Sequence, residues 1–220
     1  MKRLLIASIG LIALVSAAAA ADLTRPAPYY PKAPMLAPVY NWTGFYIGVN
    51  GGGGWGSSNW DSLGRFDVSG GLVGGTIGYN YQVGKAVFGV EGDIDWSDIN
   101  GTTATALCPL TCKTANDWLS TIRGRIGYAA DRFMPYVTGG VAFGDIKATA
   151  PGFAGATNTN AGWTLGGGIE AAIVGNWTGK VEYLYADLGN SNCGFSCGTT
   201  VSNNVSFRTS ILRAGLNYKF

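Results

Sequence analysis

Glu91, Asp93 and Asp95 alternate with uncharged neighbours, as do Arg123 and Arg125, and Glu170, Lys180, Glu182 and Arg213 follow in similar settings. Side chains two residues apart on an extended chain share one face. Carboxyls held together that way can divide acid and base roles, or ring a pore and set its selectivity. A third use is structural. An isolated charge in an interior costs several kcal/mol, so buried charges need partners. On neighbouring runs the partners are Glu91, Asp93 and Asp95 with Arg123 and Arg125, Glu170 with Lys180, and Glu182 with Arg213. Structural pairing is the expected role, because charges facing one another across a narrow interior are kept there by their partners.

Other chemistry is restricted. The chain has no histidine, which excludes Ser-His-Asp and Cys-His catalysis and His-ligated metal. Cys108, Cys112, Cys193 and Cys197 form two pairs with three residues between partners. In an oxidising compartment four cysteines suggest two disulfides. Three connectivities exist, and proximity along the chain favours Cys108–Cys112 and Cys193–Cys197. Gly51-x-Gly53-x-x-Gly56 spells a dinucleotide fingerprint, but that motif needs a helix after it, and the segment from Trp55 to Trp60 offers none. No cofactor is implied.

The elements that must position these residues are strands. Lys2 and Arg3, an apolar run from Leu4 to Val15 and Ala19-Ala20-Ala21 read as a secretory leader over residues 1–21. Of the 15 Lys and Arg, two lie in this leader, which leaves 13 against 13 Asp and Glu. A neutral mature chain gives no electrostatic case for nucleic acid. Residues 22–41, with Pro26, Pro28, Pro31, Pro34 and Pro38, read as an extended periplasmic linker.

From Trp42 to Phe220 the chain shows eight alternating runs, near 43–53, 70–82, 86–98, 116–129, 134–145, 161–174, 176–188 and 205–220. In the last, Leu212, Ala214, Leu216, Tyr218 and Phe220 share one face and Arg213, Asn217 and Lys219 the other. The connections alternate between long and short. The short ones are Val83-Gly84-Lys85, Ala130-Asp131-Arg132-Phe133 and Gly175-Asn176. The long ones are expected near 54–69, 99–115, 146–160 and 189–204. This plan fits an eight-stranded antiparallel up-and-down transmembrane β-barrel, an all-β fold with short periplasmic turns, long extracellular loops and both termini periplasmic.

Alternation alone leaves a soluble lipocalin-like barrel open. Aromatics favour the membrane: Trp96, Trp118, Phe143 and Trp163 near one end of the strands, and Tyr79, Tyr81, Phe88, Tyr128, Trp177, Tyr218 and Phe220 near the other. Two such belts match two bilayer interfaces.

The segments Asn41-Trp42-Thr43-Gly44-Phe45-Tyr46-Ile47-Gly48, Val87-Phe88-Gly89-Val90-Glu91-Gly92-Asp93 and Ile122-Arg123-Gly124-Arg125-Ile126-Gly127-Tyr128 resemble those of small outer-membrane surface-antigen β-barrels of alpha-proteobacteria. So do Met134–Gly140, Gly162–Glu170 and Val181–Tyr185. The family is grouped with OmpA-like eight-stranded barrels and often labelled porin. The resemblance implies an outer-membrane location and contact with outer-membrane lipid and lipopolysaccharide. It also implies assembly by the barrel-insertion machinery, because Arg213-x-Gly215-x-x-Tyr218-x-Phe220 resembles the terminal signal which that machinery reads. A structural role in the envelope is the leading expectation. The alternatives are a narrow pore, and capture of a host or small-molecule ligand by the long loops; no enzyme is expected.

Overall fold

The computed structural model describes residues 40–60, 64–105, 108–149, 156–194 and 203–220. The leader and all of the proline-rich segment except Tyr40 and Asn41 lie outside the described residues. Eight strands, β1 (Gly44–Trp60), β2 (Gly64–Val83), β3 (Ala86–Thr105), β4 (Cys108–Tyr128), β5 (Phe133–Thr149), β6 (Ala156–Val174), β7 (Trp177–Gly194) and β8 (Asn203–Lys219), follow in order. Each pairs antiparallel with the next, and β1 pairs with β8 to close the barrel. Closure satisfies every strand edge, which a sheet surrounded by lipid requires.

The short turns are where the sequence places them. Val83 pairs with Ala86 and Val174 with Trp177, so two residues make each bend. Gly84 and Gly175, first in each pair, have φ of 61° and 55°. Their followers Lys85 and Asn176 have no positive φ, the pattern of type II′ hairpins.

Alternation decides which side faces what. Ile122 is 60% exposed and its neighbour Arg123 1%. The same contrast separates Val90 from Glu91, Val181 from Glu182 and Leu212 from Arg213. An outward wall of Ile, Val, Leu and Phe from all eight strands would be untenable in water, so lipid bathes it. Rings in contact mark both ends of this wall: Phe45–Tyr79 and Trp177–Tyr218–Phe220 by the short turns, Trp163–Tyr185 at the far end. From Tyr128 to Trp118, ten residues of tilted strand rise about 25 Å, the height of a barrel's apolar band.

The long connections differ from expectation. The strands are 17 to 21 residues long, while about 9–11 suffice to cross a bilayer. Most of the segments read as loops are strand, including Cys108, Cys112 and Cys193. Beyond the far belt the alternation continues with its polarity reversed. On β8 the inward residues change from Asn217 and Arg213 to Ile211, Phe207 and Val205, while the outward ones change from Leu216 and Leu212 to Arg208. β2, β3 and β7 do the same, with Leu72 and Val68, Ile99, and Leu184 and Leu188 turned inward. A wall that still has an apolar interior to bury keeps its strands paired.

Three of the register shifts lie at this change of medium, between Trp96 and Ile99, between Ala115 and Leu119, and between Asp187 and Asn190. Side chains accept the amides left over: Ser97 Oγ takes Ile99 N at 3.3 Å, Asp145 Oδ1 takes Asp117 N and Trp118 N at 2.9 and 3.1 Å, and Asp187 Oδ1 takes Gly189 N at 2.9 Å.

Glycines divide by face. A Cβ on inward Gly74 would stand 2.0 Å from Asp95 Oδ1 and 2.2 Å from the Ile94 carbonyl, whereas on outward Gly75 it meets nothing nearer than 3.8 Å. Gly74→Ala is therefore expected to destabilise the barrel by at least about 1 kcal/mol and Gly75→Ala by less than about 0.5 kcal/mol. Urea titration of the two variants in lipid vesicles, read by gel mobility, checks the difference.

Candidate functional site

The lumen is filled in three layers. At the short-turn end Trp42, 1% exposed, lies under the barrel with Val87, Ala129, Met134, Tyr136 and Ala172. Its amide donates to Gln82 Oε1 at 2.8 Å, and Gln82 N donates to Thr43 Oγ1 at 3.0 Å. Tyr40 meets the Trp42 ring edge-on at 4.8 Å. Burial, and then the charge of Glu170, raises the Tyr40 phenol above its ordinary pKa.

The middle layer carries the charges. Arg123 on β4 donates through Nη1 to Glu182 Oε2 (2.9 Å) on β7, and through Nη2 to Asp93 Oδ2 (2.7 Å) and Glu91 on β3. Arg213 on β8 donates to Glu182 Oε1 (2.9 Å), Asp95 Oδ2 (2.6 Å) and Asp93 Oδ2 (2.9 Å). Lys180 reaches Glu91 at 2.8 Å, and Arg125 reaches both Glu91 (3.2 Å) and Glu170. Hydroxyls complete the set, with Tyr46 donating to Glu91 at 2.8 Å and Tyr136 to Glu182 at 3.0 Å. Arg125 lies against the Tyr136 ring, 4.5 Å from its centroid.

All nine charged residues singled out in the sequence thus meet in one layer, but not always with the expected partner. Glu91 and Asp93 do bind Arg123, and Glu182 binds Arg213. Asp95, expected beside Arg123 and Arg125, binds Arg213 instead. Glu170 and Lys180 are opposite each other in register, yet the lysine crosses to Glu91 and the glutamate to Arg125. The lumen is narrow enough for a long side chain to reach the facing wall, and Glu91 there gathers three cations. Neighbour-based reasoning has no access to such contacts.

The third layer was missed. Val68, Leu72, Ile99, Leu119, Ile146, Leu184, Leu188, Val205, Phe207 and Ile211 form an apolar core inside the barrel beyond the charges. The signal was present: Leu184, Ala186 and Leu188 continue the inward face of Lys180 and Glu182, and Ile211 and Phe207 that of Arg213.

The other candidates are placed as follows. Gly51, Gly53 and Gly56 lie within β1, and no helix follows. Tyr218 and Phe220 join Trp177 in the short-turn belt, and Gly215 makes room beside Lys180, whose Cε would lie 3.3 Å from an added Cβ. Cys197 and the side chains of Cys108, Cys112 and Cys193 lie outside the described residues. Among the described residues, no group of three or more acidic or thiol side chains could hold a metal ion.

Comparison with known proteins finds relatives along the length of the chain. The chain is 39% identical over 246 residues to a 31 kDa outer-membrane immunogenic protein of Brucella melitensis, with 100% of both chains covered. It is 33% identical to a 22 kDa outer membrane protein of Rhizobium leguminosarum, covering 84% of this chain and 81% of that one. Among solved structures, OprG from Pseudomonas aeruginosa aligns with a TM-score of 0.49 at 14% identity, covering 81% of this chain and 96% of the other. The model of the outer membrane protein beta-barrel domain matches residues 7–220, and the chain belongs to that family.

Proposed function

We propose that the protein is a filled, non-conducting structural barrel that contributes to the integrity of the outer membrane. One observation carries this reading: among the described residues, side chains occupy the lumen in three successive layers. Trp42 and its neighbours fill the short-turn end, ion pairs bridge facing walls in the middle, and an apolar core fills the rest. A path for ions would have to break charge pairs and then wet an apolar layer, both costly steps.

The orientation follows the general plan of bacterial barrels, with tight turns in the periplasm. Both ends of the barrel segment then face the periplasm and the long strand extensions stand outside the cell. Gly215, Tyr218 and Phe220 at the end of β8 serve as the recognition signal for insertion. The open, outward aromatic edge of Tyr218 and Phe220 beside Trp177 supports that role.

Planar-bilayer recording of the refolded protein is expected to show no stable current steps. Steady ohmic conductance would overturn the sealed-barrel reading in favour of a narrow pore.

A further inference from the structure

Just beyond the far aromatic belt, four outward residues lie side by side across four strands. Asp187 of β7 is opposite Arg208 of β8, Arg208 is opposite Ser57 of β1, and Ser57 is opposite Asp67 of β2. One rung nearer the apolar band stand Trp55 and Tyr185. One rung further out stands Arg65. The small Ser57 among these larger neighbours leaves a cleft of about 350 Å³. Asp187 holds Arg208 through Nε at 3.0 Å, and among the described residues the outer edge of that guanidinium has no other partner. Arg65 has no ion pair among the described residues.

We propose that this cleft binds the phosphorylated sugar headgroup of an outer-leaflet glycolipid. Interfacial aromatics mark the level at which headgroups begin, and Asp187 and Ser57 lie two residues beyond Tyr185 and Trp55 on the same strands, so the cleft meets phosphate and sugar. Two arginine forks suit phosphate oxygens. Asp67 would be useless to a bare anion. An ionised carboxylate can only accept hydrogen bonds, and a sugar hydroxyl offers one to accept. Trp55 and Tyr185 supply flat apolar surface with a polar tip, as a sugar ring at an interface requires. The inference rests on the outward orientation proposed above but not on whether the lumen conducts, so a failed conductance test would leave it standing.

The test titrates the refolded protein in detergent micelles with lipid A, with lipid A stripped of its phosphates and with inorganic phosphate, following tryptophan fluorescence and calorimetry. Lipid A is expected to bind saturably. An Arg65→Ala/Arg208→Ala double variant should bind about 100-fold more weakly, at roughly tenfold per charge-assisted contact. Asp67→Asn should also weaken binding, and Lys147→Ala on β5 should not. All these positions are on the outer wall, and gel mobility verifies that each variant is folded. Equal affinity in the double variant, or equal binding of the phosphate-free lipid, overturns the proposal. Tighter binding by Asp67→Asn, or competition by inorganic phosphate at the same concentrations as lipid A, overturns the headgroup in favour of a simple anion site.

Discussion

Arg123→Ala is expected to lower the stability of the refolded barrel by about 3–5 kcal/mol, the range for removing one partner of a buried ion pair. The side chain is buried and contacts Glu91, Asp93 and Glu182, carried by two different strands. Its loss leaves five carboxylates (Glu91, Asp93, Asp95, Glu170 and Glu182) to share Arg125, Lys180 and Arg213. The exposed pair of Lys147 and Asp117 is the internal control, with side chains 41% and 52% exposed. Lys147→Ala should cost at most about 1 kcal/mol. Heat or urea midpoints, read from the mobility difference between folded and unfolded bands, give both values. If Arg123→Ala melts with the parent protein, the charge layer is not what holds the walls together.

The second large effect tests the reversal of polarity along the strands. Ile122 points outward between Trp118 and Tyr128, near mid-band. Ile122→Arg should cost about 2–4 kcal/mol for a charge facing lipid at the bilayer midplane. Asn59 also points outward, but beyond the far belt, one rung past Arg208. Asn59→Arg, which would stand opposite Arg65 on β2, should cost no more than about 1 kcal/mol, the scale of a like-charge pair on a solvated sheet face. Reversible unfolding in vesicles measures the two under one set of conditions. Equal penalties would mean that lipid covers the whole outer wall and that the strands do not project from it.

Strand number, order and sidedness were legible because a period of two is a strong local signal, and because Gly84 and Gly175 mark two of the bends. The inward charges were legible for the same reason. Their partners were not, since Lys180 to Glu91 and Arg213 to Asp95 span the lumen between residues about a hundred positions apart. The strand extensions were read as loops because Gly, Asn, Thr and Ser dominate them. Those residues are common in turns, but they suit a watered outer wall equally well when Ile99, Val205 and Phe207 face the other way. In the sequence Trp42 only precedes the first alternating run near 43–53, and nothing there marks it as filling the lumen. Only the closed barrel shows that the chain must pass beneath its own mouth before β1 begins, and that an indole fits there.

The reversal at the far belt also fixes how deep the molecule floats. Moving the barrel one rung inward would drag Arg208, Asp98 and Asp187 into hydrocarbon, and moving it outward would strand Leu212 and Ile94 in water. The draught is written into β2, β3, β7 and β8 together, so no tilt of a single segment relieves it. In a bilayer a few ångströms too thin or too thick, the lipid around the barrel has to stretch or compress to meet it. Membranes of differing thickness would therefore sort this protein by the strain it imposes on its neighbours.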